Sequence, residues 1–312
     1  MNVVISPGAG HAPCGRDSKS DRSPCRRLPQ TPLVSIVVPV RNGESFIGEA
    51  LLSALDQTFT DFEVVVADNA STDGTLAVVE ALGDGDDRMT VLTSPVDLGA
   101  GANWNRAVRA ARGTYVKLLC ADDVLEPSCL ERQLAAFSGA AGDGTALVCA
   151  RRRAIDDQGR ILLERGFQPR LCGRIDKVRS ARRVAQSGSN PIGEPAAVLF
   201  RRDDALRAGL FREDGGYVID LDLWLRLLTE GDLCVVDDAL ARFRVTSGSW
   251  SVSLAAQQAD QYCALLKRVA AEGKLGLRRR DVVIGCVAAH LMARSRRFLY
   301  VWLERRSRGH AV

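Results

Sequence analysis

Two adjacent carboxylates, Asp122-Asp123, follow a buried apolar run and precede a turn that carries Pro127. Held at a rigid edge, such a pair is in outline a hard-cation site. A divalent ion there could bridge the two phosphates of a nucleoside diphosphate and neutralise the charge that develops as it leaves. The same dipeptide suits a solvated loop or a helix cap, so its context has to decide. A second acid, Asp68, closes the run EVVVA and opens Asp68-Asn69-Ala70-Ser71-Thr72-Asp73. At a strand end it can accept a hydrogen bond from a base N–H, whereas Asp73 has the competing task of capping the helix that begins near Gly74. A third acid, Asp220, stands at the head of an apolar-periodic segment, Leu221–Leu228, two residues from Asp222. Two apart on a helix, they face different ways, so one of them is expected to act as the base that takes a proton from an attacking hydroxyl. Capping is the rival role for Asp220, and helix N–H groups would lower its pKa.

These acids need elements to position them. Val34–Val40 (VSIVVPV) and Glu63–Ala67 (EVVVA) are nearly all-apolar, β-branched runs, as expected for strands buried on both faces of a parallel sheet. A helix over Ser45–Leu55 joins them into a β-α-β unit. Met89–Leu92 makes a third strand, Asn103–Arg112 a helix stopped by Gly113, and Tyr115–Cys120 (YVKLLC) a fourth strand that runs into Asp122. The alternation predicts a doubly wound α/β sheet, with the ligand crevice outside the carboxyl ends of its strands. Asn42, Asp68, Asp122 and Asp123 all fall just past such ends. Ala146–Ala150 reads as a further strand, and residues from about Leu254 read as two or more helices appended to the core. The expected division is a disordered leader over 1–31, a catalytic domain over 32–253 and a helical extension over 254–312.

Composition narrows the class. A formal charge of +4 is too weak for a nucleic-acid-binding protein unless concentrated, and it is concentrated only at the ends. Nine cysteines without a CxxC pair or a His/Cys cluster read as reduced thiols, which places the chain in the cytoplasm. No signal peptide or spanning segment is visible, since Val282–Ala293 is too short and is followed by Arg294, Arg296 and Arg297. Arg278, Arg279, Arg280, Arg305, Arg306 and Arg308 complete a basic C-terminal region whose nearly only acids are Asp281 and Glu304. It reads as a solvated helix face, or as a peripheral contact with anionic lipid at the inner face of a membrane. Gly99-Ala100-Gly101 lacks the third glycine of a dinucleotide loop, and no GxSxG or HExxH occurs.

Several segments in order carry a family resemblance: Pro32–Gly43 (PLVSIVVPVRNG), Glu63–Thr75 (EVVVADNASTDGT), Asn103–Asp123, Gly193–Arg201 (GEPAAVLFR), Val218–Leu227 (VIDLDLWLRL) and Phe243–Ser251 (FRVTSGSWS). From about Pro32 to Ser251 the chain resembles the family 2 glycosyltransferases. The resemblance implies a Rossmann-like nucleotide-diphospho-sugar transferase (GT-A) fold with a mostly parallel central sheet, and an inverting transfer from a nucleotide-sugar donor to a glycan or glycolipid acceptor. It further implies that Pro39, Val40, Asn42, Glu44, Asp68, Asn103 and Asp122 surround the donor, that Asp123 binds Mg2+ or Mn2+, and that Asp220 is the catalytic base. The chain departs from the usual pattern at four places. Arg41 replaces a tyrosine, Cys120 the first acid of an Asp-x-Asp-Asp run, Ile219 a glutamate and Thr246 a histidine. The changes at Cys120, Ile219 and Thr246 keep a non-catalytic nucleotide-sugar-binding or assembly protein in view as the alternative, with a nucleotidyltransferase behind it.

Overall fold

The computed structural model describes residues 31–139, 144–214, 216–246 and 257–308. The expected leader lies outside them but for Thr31, as do residues 247–251 of the expected closing loop. β1 (Val34–Val40) and β2 (Phe62–Asp68) are buried along their whole length and pair in parallel from Val34 opposite Phe62 to Val40 opposite Asp68. Their unbroken apolar runs follow from burial on both faces. Between them α1 (Ile47–Leu55) buries Ile47, Ala50, Leu51 and Ala54, one stripe of a 3.6-residue period. After α2 (Thr75–Gly83), β3 (Met89–Leu92) adds to the outer edge of β2.

α3 (Ala100–Ala110) leads into β4 (Tyr115–Leu118), which pairs in parallel with the other side of β1. α3 starts three residues before the expected Asn103, because Gly99, at φ +80°, turns the chain directly into it. β5 (Val124–Leu125), α4 (Cys129–Ser138), β6 (Thr145–Ile155), β7 (Ile161–Arg165), β8 (Gly173–Ile175) and α5 (Lys177–Ser187) follow. The chain then forms β9 (Val198–Arg201), α6 (Arg202–Arg207), α7 (Ile219–Leu227), β10 (Asp232–Arg244), α8 (Gln258–Glu272) and α9 (Arg279–Arg308).

One sheet runs β3-β2-β1-β4-β9-β6-β10-β5, with β7 on β6 and β8 on β10. It is parallel through its first four strands and between β6 and β10. β9 enters antiparallel between β4 and β6, so the complete sheet is mixed. β6 continues past the expected Ala150 to Ile155, and its extra residues include three consecutive arginines. Each is held by acids: Arg151 by Glu164 and Asp237, Arg152 by Glu194, Arg153 by Glu126. Ion pairing thus lets a charged run sit in a sheet.

α8 and α9 pack into the same core as the sheet. Tyr262, Leu265, Leu266, Val269, Val282 and Ala289 belong to the buried cluster built around Trp224, Phe200 and Phe211. α9 approaches α5 almost backbone to backbone, since a Cβ on Gly285 would lie 2.0 Å from the Ala185 carbonyl oxygen and one on Gly188 2.5 Å from Ala288.

Candidate functional site

The loops leaving β1 and β2 are laced to each other. Asn42, at φ +51°, accepts the Thr72 N–H through Oδ1 at 2.8 Å and donates its own N–H to Ser71 Oγ at 2.9 Å. Glu44 Oε2 accepts the Gly74 N–H at 2.9 Å, and the Gly43 N–H reaches Thr75 Oγ1 at 2.8 Å. Asp73 accepts the Thr75 and Glu44 N–H groups. Burial works against its ionised form, but the Thr75 hydroxyl and these amides prevail and hold its carboxyl below the ordinary value. Asn42, Glu44 and Asp73 thus spend these groups on shaping the crevice wall.

Asp68, at the mouth of that wall, is 1% exposed. Its Oδ2 accepts the Ser71 N–H at 3.2 Å, and its Oδ1 is buried without a hydrogen-bond partner. α3 anchors the strand ends beneath it. Asn103 donates to Ala67 O at 2.7 Å, and Arg106 donates to the carbonyls of Asp68 at 2.8 Å and Leu92 at 2.9 Å. Asn103 therefore supports the crevice floor through the backbone. Pro39 and Val40 are buried strand residues, and the Val40 carbonyl accepts the Asn69 N–H at 2.9 Å.

The second group of acids gathers at the exit of β4. Asp123 is fully buried; its Oδ1 accepts the Arg244 N–H at 3.0 Å, and its Oδ2 has no partner. Asp122 lies half-buried beside it. Burial pushes both carboxyls above the ordinary value, and for Asp123 the neighbouring Asp122 charge adds to the effect. An orphaned carboxylate oxygen next to a second, more open carboxylate is a donor set suited to a hard divalent cation. Among the described residues no three His, Cys, Asp or Glu side chains close into a ready-made ligand group.

Asp220 comes to the same place from far along the chain. Burial drives the Cys120 thiol well above its ordinary pKa, and the charges of Asp123, Asp122, Asp220 and Glu194 push it the same way. Asp220 itself is 9% exposed, in the first turn of α7. It accepts the Leu221 N–H at 2.7 Å and the Asn190 amide at 2.9 Å. Burial, and then the Glu194 charge, raise its pKa from 3.8 to about 7. The lowering expected of a capped aspartate does not occur, because these two effects outweigh the hydrogen bond from Leu221. Glu194 behaves in the opposite sense: burial opposes its ionisation, but the buried Arg152 guanidinium paired with it keeps its pKa low. The result is two nearby carboxyls, one held ionised and one poised near neutrality.

Asp222 has a different task. It is 2% exposed and ion-paired to Arg226 at 2.7 Å, to Arg212 at 3.6 Å and to Arg268 of α8. The two aspartates of α7 thus differ in surroundings: Asp222 is tied to Arg212, Arg226 and Arg268, whereas Asp220 feels the charge of Glu194. Asp222→Ala should lower the free energy of unfolding by about 2–4 kcal/mol, because Arg226 is left buried and uncompensated. Urea denaturation will read this as a reduced midpoint. Sequence reasoning missed Asn190, Glu194, Arg152, Asn69 and Arg244, whose partners lie far away in the chain. Asn69, Glu194 and Arg244 stood inside segments already singled out, Glu63–Thr75, Gly193–Arg201 and Phe243–Ser251.

A mixed α/β sheet with acids gathered outside its strand ends defines a nucleotide-sugar transferase fold of the GT-A class. The mannosyltransferase PcManGT from Pyrobaculum calidifontis, solved in complex with GDP-Man and Mn2+, superposes with a TM-score of 0.58 over 85% of this chain and 75% of its own, at 21% identity. The family model described as Glycosyl transferase family 2 matches residues 35–206, and the chain belongs to that family. An uncharacterized protein of Mycobacterium tuberculosis is 32% identical over 230 residues, 71% of this chain and 70% of that protein. Chondroitin synthase of Escherichia coli is 35% identical over 213 residues, 68% of this chain but only 29% of the relative's length.

Proposed function

We propose that the protein transfers a hexosyl group, with inversion, from a nucleoside-diphosphate sugar to the hydroxyl of a glycan or glycolipid acceptor. The proposed setting is cell-envelope polysaccharide synthesis at the cytoplasmic face of a membrane. The observation that carries this reading is a pair of buried carboxylate oxygens left without a hydrogen-bond partner, Asp68 Oδ1 at the end of β2 and Asp123 Oδ2 past the end of β4, two parallel strands on either side of β1. The chondroitin synthase relative supports a polysaccharide product, and the GDP-Man and Mn2+ named for the mannosyltransferase support a nucleotide-sugar donor and a divalent cation.

In this reading Asp68 accepts a base N–H through its free Oδ1, with the backbone of residues 39–42 alongside. Asp123 and Asp122 would hold Mg2+ or Mn2+. When bound, the cation offsets negative charge on the departing diphosphate. Asp220 takes the proton from the acceptor hydroxyl as its oxygen bonds to the anomeric carbon, and the bond from that carbon to the diphosphate breaks on the opposite side. A pKa of about 7 suits this task, because at neutral pH a large share of the carboxyl is ionised yet still basic enough to accept a proton.

The test is release of nucleoside diphosphate from a panel of nucleotide sugars and acceptors. Release is expected with Mg2+ or Mn2+ present, and chelation should reduce it by at least about tenfold. Donor binding by calorimetry with no turnover across the panel would instead identify a non-catalytic nucleotide-sugar-binding protein.

A further inference from the structure

We propose that the outward face of α9 binds an anionic phospholipid bilayer and lies in the plane of its surface. The inference deepens the membrane-side location proposed above and rests on none of the transfer chemistry.

α9 has two unlike sides. Its inner side, with Asp281, Val282, Gly285 and Ala289, is buried against the rest of the molecule. Its outer side leaves Val283 56%, Ile284 48%, Val287 58% and Leu291 59% exposed. Their spacing of three and four residues puts these four side chains on one face, over more than two helical turns. A stripe of this kind on a helix already anchored by its other side is what an interfacial membrane helix presents. No described helix is long and apolar enough to cross a membrane, so contact would be made from one side.

The charges around the stripe select the occupant. Arg278, Arg279 and Arg280 at its start and Arg294 at its end are all exposed. Asp281, the acid in the first turn of α9, is withdrawn from the surface. Its Oδ1 accepts the Gln186 amide at 2.8 Å, and its Oδ2 accepts the Arg278 N–H at 2.9 Å. At one edge, Asp260 of α8 lies 3.5 Å from His290. The stripe is therefore apolar in the middle and basic at both ends. A second copy docked on the same face, parallel or antiparallel, would bring arginines against arginines as the apolar centre closed. Phosphate headgroups meet the same arginines with opposite charge, while the aliphatic side chains enter the acyl boundary.

The experiment is vesicle co-sedimentation of the full chain, without donor or metal, using phosphatidylcholine vesicles with and without phosphatidylglycerol. Binding is expected to the anionic vesicles, at least about tenfold weaker to the neutral ones, and weaker again as salt rises. Val287→Glu with Leu291→Glu should abolish binding, and circular dichroism will show that the fold survives, since both positions are exposed. Arg279→Glu with Arg280→Glu should remove the preference for anionic lipid. Absence of binding to phosphatidylglycerol vesicles, or binding that the Val287/Leu291 variant leaves intact, would overturn the proposal. So would a dimer in sedimentation velocity that this variant dissociates, because the face would then join two copies. None of these outcomes touches donor turnover in solution, so the transfer reading stands or falls separately.

Discussion

Asp220→Asn should reduce kcat/KM for sugar transfer by roughly 10²–10⁴-fold, the range lost when a positioned general base is removed. The same variant should be more stable than the parent at neutral pH. Asp220 is forced to ionise in a buried setting beside Glu194, and the gap between about 7 and its ordinary 3.8 corresponds to roughly 4 kcal/mol as an upper bound. Because the folded-state value is raised, the carboxyl contributes full stability below its unfolded value; that contribution is eroded between about pH 4 and 7 and is gone above it. The stability advantage of the amide should grow over that window and level off. Parent activity should rise with pH through about 7, as the base must be ionised. Thermal melts at pH 5 and 8 with a pH–rate profile will check both signs. Full activity in the variant would remove Asp220 from the mechanism.

Asp123→Asn should lower transfer about 10²–10³-fold by weakening electrostatic stabilisation of the leaving diphosphate. Its distinguishing readout is the cation. Mn2+ affinity, measured by paramagnetic resonance with nucleoside diphosphate present, should fall at least about tenfold, as ligand removal predicts. The amide oxygen can still accept the Arg244 N–H, so the local backbone has no reason to move. Asp122→Asn is the companion, because that side chain is half-buried and its tie to Arg244 runs through the backbone carbonyl. Unchanged Mn2+ affinity in both variants would place the cation elsewhere.

The strands that carry the first acids were legible in the sequence because they are buried on both faces and leave unmistakable apolar runs. β1 and β2 agree with expectation to within a residue or two, and their ends locate Asp68. What lay hidden depends on contacts between distant residues. Asn190 and Asp220 are 30 apart, Arg152 and Glu194 are 42 apart, and Asp123 and Arg244 are 121 apart. No local pattern announces such pairs. The direction of the Asp220 shift was equally hidden, since a helix start argues for one sign, while burial beside Glu194 imposes the other. Asn42 and Glu44 look like ligand contacts in the sequence, yet much of their hydrogen bonding is directed to the opposite loop.

Arg244 has only 1% of its surface exposed, yet it touches three segments at once. Its guanidinium reaches the carbonyls of Asp122 at 2.9 Å and Asp156 at 3.0 Å, pairs with Glu49 and stacks over Phe46 at 4.5 Å. A lysine there, with a single nitrogen, could not span those directions. Drift in any one of the three stretches must therefore accommodate the other two, and the exit of β4 inherits a rigidity that its own short length could not supply. Such a joint would let the surrounding surface loops diversify toward new acceptors while the acids at the strand ends keep their mutual spacing.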